Sequence, residues 1–309
     1  MTPEPTARPW LPLAAIATTL LLWASAFVAI RHLGDDFSPG ALSLGRLLVG
    51  ALALAAVALP QGRPRPTPTQ WGRLVAIGLL WFALYNVTLN AGELLVDAGT
   101  ASMLVQVAPV LIALLAALFL GERFTTGLGL GLALAFGGVA LISVSTSSGS
   151  GGDVAGVLLV LVSAVAYAVS VVLQKPLMGS LSAVHVTWIA CTVGAVACLP
   201  FAGDLVAKLG EAPASSIGWL VFLGVFPTAI AFTTYAFALR HMSASRLGVT
   251  TYLVPPITVA LGLVFLGETP PTMAYAGGVL ALLGVAVARR RPRPRTPTPG
   301  EPAPVAARG

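Results

Sequence analysis

Apolar residues fill ten long stretches of this chain, at 11–30, 40–59, 73–92, 99–120, 126–143, 154–174, 184–201, 217–238, 246–266 and 272–288. Each approaches the ~20 residues that cross a hydrocarbon core. In lipid the backbone must satisfy its own polar groups, so these stretches are predicted to be helices. Strand-like alternation is absent. The expected class is an all-α membrane protein with ten transmembrane helices.

Polar positions interrupt four stretches at helical spacing. Ser163, Tyr167, Ser170 and Gln174 follow i, i+4, i+7, i+11 in the sixth. Ser102, Gln106 and Pro109 do so in the fourth, Asn86, Asn90 and Glu93 in the third beside Tyr85, and Thr251, Pro255 and Thr258 in the ninth beside Tyr252. Residues at these spacings share a helix face. Unsatisfied amides are costly in hydrocarbon, so those faces are expected to point inward. Ser and Thr read first as packing groups that back-bond their own helix. Asn86, Asn90, Gln106 and Gln174 read first as cavity lining. Trp23, Tyr167, Tyr235 and Tyr252 suit either a cavity or an interfacial anchor, Tyr167 being deep, whereas Trp71 and Trp219 fit anchoring. Pro109, Pro255 and Pro256 lie mid-span, where proline removes a backbone bond and frees a carbonyl. A static kink and a hinge that offers carbonyls to a ligand both fit.

The chain also repeats itself. Pro109 to Glu122 reads PVLIALLAALFLGE and Pro255 to Glu268 reads PPITVALGLVFLGE, an offset of 146 (255 − 109). Residues 131–140 and 277–286 continue it. Paired helix interruptions in two halves point to a transporter site. The units expected are a tail at 1–10, a first five-helix repeat at 11–143, a linker at 144–153 on the periplasmic or extracellular side, a second repeat at 154–288, and a basic Pro-rich tail at 289–309.

Charge fixes the expected orientation. With both termini cytoplasmic, inner loops and tails carry fourteen Lys and Arg, and outer loops only Arg31 and Lys208. That is the positive-inside bias. Five spans per half is an odd number, so the second half enters from the opposite side and the repeat is 5+5 with inverted topology. Arg46 lies six residues into the second span, near enough to the outer edge to snorkel, or to form a gating pair with Glu93. Glu93 reads as a solvated rim residue. Glu122 and Glu268 read as caps for the helices that follow them.

Composition narrows the class. Charged residues are 9% and apolar ones 57%, against about 25% charged in soluble domains. The +6 net charge does not imply nucleic acid, because Arg289, Arg290, Arg291, Arg293 and Arg295 cluster beside the last span. Leu11 to Ile30 contains a signal-peptidase-like Ala24-Ser25-Ala26 but is longer than a signal core and reads as a retained helix. Cys191 and Cys198 have no disulfide or metal spacing and read as inert buried thiols. His32, His185 and His241 lie far apart near span ends and give a metal site little support. Phosphate loops, paired acid/base carboxylates and nucleophile elbows are missing, so no cofactor and no enzyme activity are expected. Small residues at Gly127, Gly131, Gly277 and Ala281 suit close helix packing, either inside one subunit or across a homodimer.

The ten-span plan, the two FLGE helix ends, Trp23-Ala-Ser-Ala-Phe27 and Tyr235-Ala-Phe-Ala-Leu-Arg-His-Met-Ser-Ala-Ser-Arg246 resemble the EamA-type drug/metabolite transporters over residues 11–288. The resemblance implies a five-plus-five inverted repeat, a cavity walled mainly by spans 1, 3, 4, 6, 8 and 9, and movement of small metabolites, often amino acids outward. Trp23 and Ser25 join the candidate cavity residues on this footing. The expected function is a secondary transporter in the plasma or inner membrane, partnered by the bilayer and a small solute. A broad-specificity multidrug exporter is the alternative. A channel would want a polar ring, and an intramembrane enzyme would want clustered His, Asp or Glu deep in several spans. A lone Arg46 at the rim argues against phosphorylated substrates. Without a deep carboxylate, gradient-driven facilitation is favoured over proton coupling.

Overall fold

The computed structural model describes residues 10–119, 126–146 and 151–288, which among themselves form helices and no strand. α1 is Trp10–Leu33, α2 Pro39–Gln61, α3 Pro68–Glu93 and α4 Ala98–Phe119. α5 is Thr126–Thr146, and α6 is Gly151–Gln174 with a 3-10 turn at Lys175–Gly179. α7 is Ala183–Ala197 followed, across a 52° bend, by Leu199–Glu211. α8 is Ala214–His241. α9 is Ala244–Thr250, a 3-10 turn at Thr251–Leu253, and Val254–Phe265; α10 is Thr272–Ala288. Every predicted apolar stretch falls on one of these helices. Six of them, α1, α2, α3, α4, α6 and α8, are long and apolar enough to cross a membrane, and bent α7 makes a seventh. Ten spans are thus met by six or seven on length and composition.

Helix starts are set by local chemistry and recur between halves. Ser38 caps α2 by accepting from the Ala41 N–H, and Ser182 caps α7 by accepting from His185, an offset of 144 (182 − 38). From α3 onward the offset becomes 146, the start of α3 at Pro68 matching the start of α8 at Ala214 (214 − 68). Both of these helices widen into π-helix at the same point, Gly78–Leu84 and Gly224–Ile230 (224 − 78 = 146). Each half satisfies the widened backbone its own way. Asn86 Nδ2 donates to the Phe82 carbonyl at 2.7 Å and to Trp81, while the Thr228 hydroxyl donates to Leu223 at 2.8 Å beside Pro227.

The first residues of the π segments are glycines because other helices press on them. A Cβ on Gly78 would meet Val193 Cβ at 2.6 Å and the Ala190 carbonyl at 2.8 Å; one on Gly224 would meet Val49 Cβ at 2.5 Å and the Arg46 carbonyl at 2.9 Å. Val49 and Val193 are repeat equivalents, as are Arg46 and Ala190 (193 − 49 and 190 − 46 are both 144). The same contact is therefore built twice, α3 on α7 and α8 on α2. Other interfaces pair likewise: α3 with α6 and α8 with α1, α4 with α6 and α9 with α1. α5 packs along α10, with Gly137 facing Leu280.

Contact order gives helix direction. Arg31 reaches Glu93 while Trp23 meets Trp81, so α1 and α3 run parallel. Gly92 abuts Gly156 while Gln70 bonds Ser180, so α3 and α6 run antiparallel. The equivalent helices α1 and α6 consequently point opposite ways, and their C-terminal ends lie at opposite ends of the bundle.

Candidate functional site

A central cavity sits where α1, α3, α4, α6, α8 and α9 converge, with Arg46 of α2 in its wall. Its volume is ≈ 30 Å³, room for about two waters. Aromatic side chains line it. Trp81 stacks on Tyr167 with centroids 5.0 Å apart, Phe232 meets Trp81 edge-on at 5.0 Å, and Trp23 lies 4.9 Å from Tyr235. The Tyr167 hydroxyl donates to the Tyr235 hydroxyl at 3.0 Å, satisfying a buried phenol. Trp23 and Tyr167 are themselves repeat equivalents (167 − 23 = 144).

The floor is made by two broken helices. α4 is interrupted at Gln106–Val107, before Pro109, and α9 at Thr251–Leu253, before Pro255 and Pro256. Proline at 255 has no N–H to close on the Thr251 carbonyl four residues back. Gln106 Nε2 takes that carbonyl at 3.0 Å, and the Thr251 hydroxyl returns a bond to Gln106 Oε1 at 3.1 Å. The two breaks are thus clamped to each other by an amide that would otherwise be stranded in the core.

Two cations tie helix ends. Arg31, at the end of α1, donates from Nη1 to the Glu93 carbonyl at 2.8 Å and from Nε to Glu268 Oε1 at 2.8 Å. Lys175, at the end of α6, donates to the Leu239 and Met242 carbonyls at 2.7 and 2.8 Å. Donors and acceptors are both equivalent across the repeat, Arg31 with Lys175 (offset 144) and Glu93 with Leu239 (offset 146). Each latch holds the C-terminal end of α3 or α8, and the two lie at opposite ends of the bundle. Gly267, at φ 67, forms the turn that lets the Glu268 N–H reach back to Gly262 and brings its carboxylate to Arg31. Glu268 is therefore an ion-pair partner rather than the helix cap expected; Glu122 lies outside the described residues.

Two further expectations about charge are corrected. Glu93 is no solvated rim residue: it is 0% exposed, and both carboxylate oxygens lack a hydrogen-bond partner among the described residues. α3 continues to Glu93, whose carboxylate is buried within reach of the charges of Arg46 and Arg31. Its presence removes the ground for preferring facilitation over proton coupling. Arg46 does not snorkel either. It is 3% exposed, and Nε donates to the Thr228 hydroxyl at 3.1 Å across the α2–α8 contact. Among the described residues no carboxylate forms an ion pair with it in this conformation.

Of the other candidates, Trp23, Tyr85, Gln106 and Tyr167 line the central cavity with Arg46, and Tyr235 stands behind them in the aromatic cluster. Asn86 turns to its own π segment, and Asn90 donates to Ser43 at 2.9 Å, joining α3 to α2. Ser170 and Gln174 are buried outside the cavity wall, each with an oxygen that has no hydrogen-bond partner among the described residues. Ser25 lines a separate apolar cavity with His32 and Trp219. Tyr252 is half-buried at the α9 break, Pro109 is buried at the α4 break, and Pro255 and Pro256 line a lateral groove between α4, α9 and α10. Cys191 and Cys198 are free and buried. The sequence reading missed Trp81, Phe232 and Thr228. Trp81 stands four before Tyr85 and Phe232 three before Tyr235, so helical spacing from known candidates would have found both.

A multi-pass helical membrane protein with an aromatic-lined cavity between two related halves fits the class of solute transporters. Residues 10–144 and 154–290 each match the EamA-like transporter family, so the chain belongs to that family, and it is a transporter rather than an enzyme. It is 38% identical over 277 residues to the "Probable terminal-alkyne amino-acid exporter" of Streptantibioticus cattleyicolor, covering 90% of this chain and 93% of that one. It is 31% identical over 276 residues to an "Uncharacterized transporter" of Archaeoglobus fulgidus, covering 89% and 98%. A solved structure, "Crystal structure of protein", matches with a TM-score of 0.62 at 22% identity over 90% of this chain and 96% of that one, a likeness of fold.

Proposed function

We propose that this protein is a secondary transporter that exports amino acids or closely related solutes across the plasma or inner membrane. Ten spans form a 5+5 inverted-topology repeat with both termini cytoplasmic, and the solute passes by alternating access. The observation that carries the mechanism is the pair of equivalent latches at opposite ends of the bundle. A carrier needs one gate per face, and an inverted duplication supplies the same gate twice. With both latches made, the central cavity of ≈ 30 Å³ is too small for a substrate. Opening must separate the ends of α3 or α8 and spread the aromatic cluster. The positive-inside bias puts Arg31 at the outer face and Lys175 at the cytoplasmic face. The amino-acid class rests on the named exporter of Streptantibioticus cattleyicolor.

Two measurements test this reading. Overexpression raises tolerance to a toxic amino-acid analogue and lowers its cellular content. Purified protein in proteoliposomes exchanges amino acids across the bilayer. Exchange of sugar phosphates without any amino acid would overturn the substrate class.

A further inference from the structure

A buried arginine inside a membrane bundle calls for a partner. Arg46 is 3% exposed in the cavity wall, and its one hydrogen bond uses Nε, to a neutral hydroxyl of Thr228. Its two terminal nitrogens make no hydrogen bond among the described residues. Glu93 lies near enough to interact with it electrostatically but forms no ion pair. The guanidinium is therefore held by one edge, with its fork unpaired among the described residues on the wall of the central cavity. That fork matches a carboxylate through two parallel N–H···O bonds, and its charge is permanent.

The rest of the wall fits the remainder of such a solute. Trp23, Trp81, Tyr167 and Phe232 offer ring faces and edges to an apolar body. The repeat argues the same way. Arg46 stands where the second half has Ala190, so no symmetry or packing rule of the fold demands a cation there. Thr228 belongs to the π segment of α8, so a ligand on Arg46 is mechanically connected to a helix whose end the Lys175 latch holds.

Resting on the amino-acid reading above, we infer that Arg46 is the carboxylate anchor of the transport site, oriented by Thr228, with the aromatic cluster receiving the solute's apolar part. The protein then selects for a carboxylate, and removing that group weakens binding about 10-fold or more.

Calorimetric binding to purified protein in nanodiscs, using the proteinogenic L-amino acids and their primary amides, tests this. Wild type should bind the best amino acid at least about 10-fold tighter than its amide. Arg46→Gln should bind the two alike, and Arg46→Lys should restore part of the preference. Thr228→Val keeps the charge but releases Nε; it should weaken the amino acid a few-fold and leave the amide unchanged, and it carries the test if Arg46→Gln fails to elute as folded protein. Equal binding of acid and amide by wild type, or an undiminished preference in Arg46→Gln or, where that variant does not fold, in Thr228→Val, overturns the anchor while amino-acid export stands. Binding of neither amino acids nor amides by wild type overturns both.

Discussion

The two halves share their mechanics and differ in their chemistry. Gly78 and Gly224, the π segments they begin, Pro109 and Pro255, and Arg31 and Lys175 all recur at equivalent positions. The cavity wall does not. Apart from the pair Trp23 and Tyr167, its residues face unlike mates: Arg46 matches Ala190, Trp81 matches Pro227, Tyr85 matches Ala231, Gln106 matches Tyr252, and Phe232 matches Asn86. Duplication preserved what bends and latches, and released what touches solute. A pseudo-symmetric carrier needs equivalent gates at both faces, but its solute has no two-fold axis.

If the mechanics are equivalent, equivalent substitutions should cost alike. Gly78→Ala and Gly224→Ala each drive a Cβ to within 2.6 Å of a valine Cβ on a neighbouring helix. Each should destabilise by about 1–3 kcal/mol, with the two agreeing to within about 1 kcal/mol. Thermal unfolding in detergent measures this, and a large cost at one glycine alone would break the equivalence. At the cavity floor, Thr251→Val strands the Gln106 carbonyl oxygen and should cost about 1–2 kcal/mol. A double-mutant cycle with Gln106→Leu should return a coupling of roughly 0.5–3 kcal/mol between the two breaks. The smallest effect belongs to the exposed pair Lys208–Glu211, 3.1 Å apart on the second segment of α7. Lys208→Ala should change stability by less than about 1 kcal/mol and leave transport unchanged.

Helices and duplication were legible in the sequence because lipid allows one backbone solution and because FLGE recurs at the ends of spans 4 and 9. The π segments were not legible. A π turn widens a helix without a compositional mark, and Pro227 signals only the second of them. The 144-residue offset of α1 and α2 escaped because the longest matching blocks lie in later spans, and with it went the pairing of Arg31 with Lys175. Glu93 was misplaced for a related reason. Hydropathy put it at the end of a span, where water is the default neighbour, yet the carboxylate is fully buried in the bundle near Arg46 and Arg31. Asn86 and Asn90 are both buried on that face, and each side-chain nitrogen bonds a helix atom, the Phe82 carbonyl of α3 for Asn86 and the Ser43 hydroxyl of α2 for Asn90.

The central claim is that one cation latch closes each face of an inverted bundle. Breaking either should open one side only. In a background with Cys191 and Cys198 replaced by Ala, a cysteine at Ala26, in the cavity wall, reports which side is open. Arg31→Gln removes a charge-assisted bond to the end of α3 and should raise labelling by an impermeant thiol reagent about 10-fold from outside intact cells. Lys175→Gln should raise it by a similar factor only in inside-out vesicles. Opening of both variants to the same side would contradict the account.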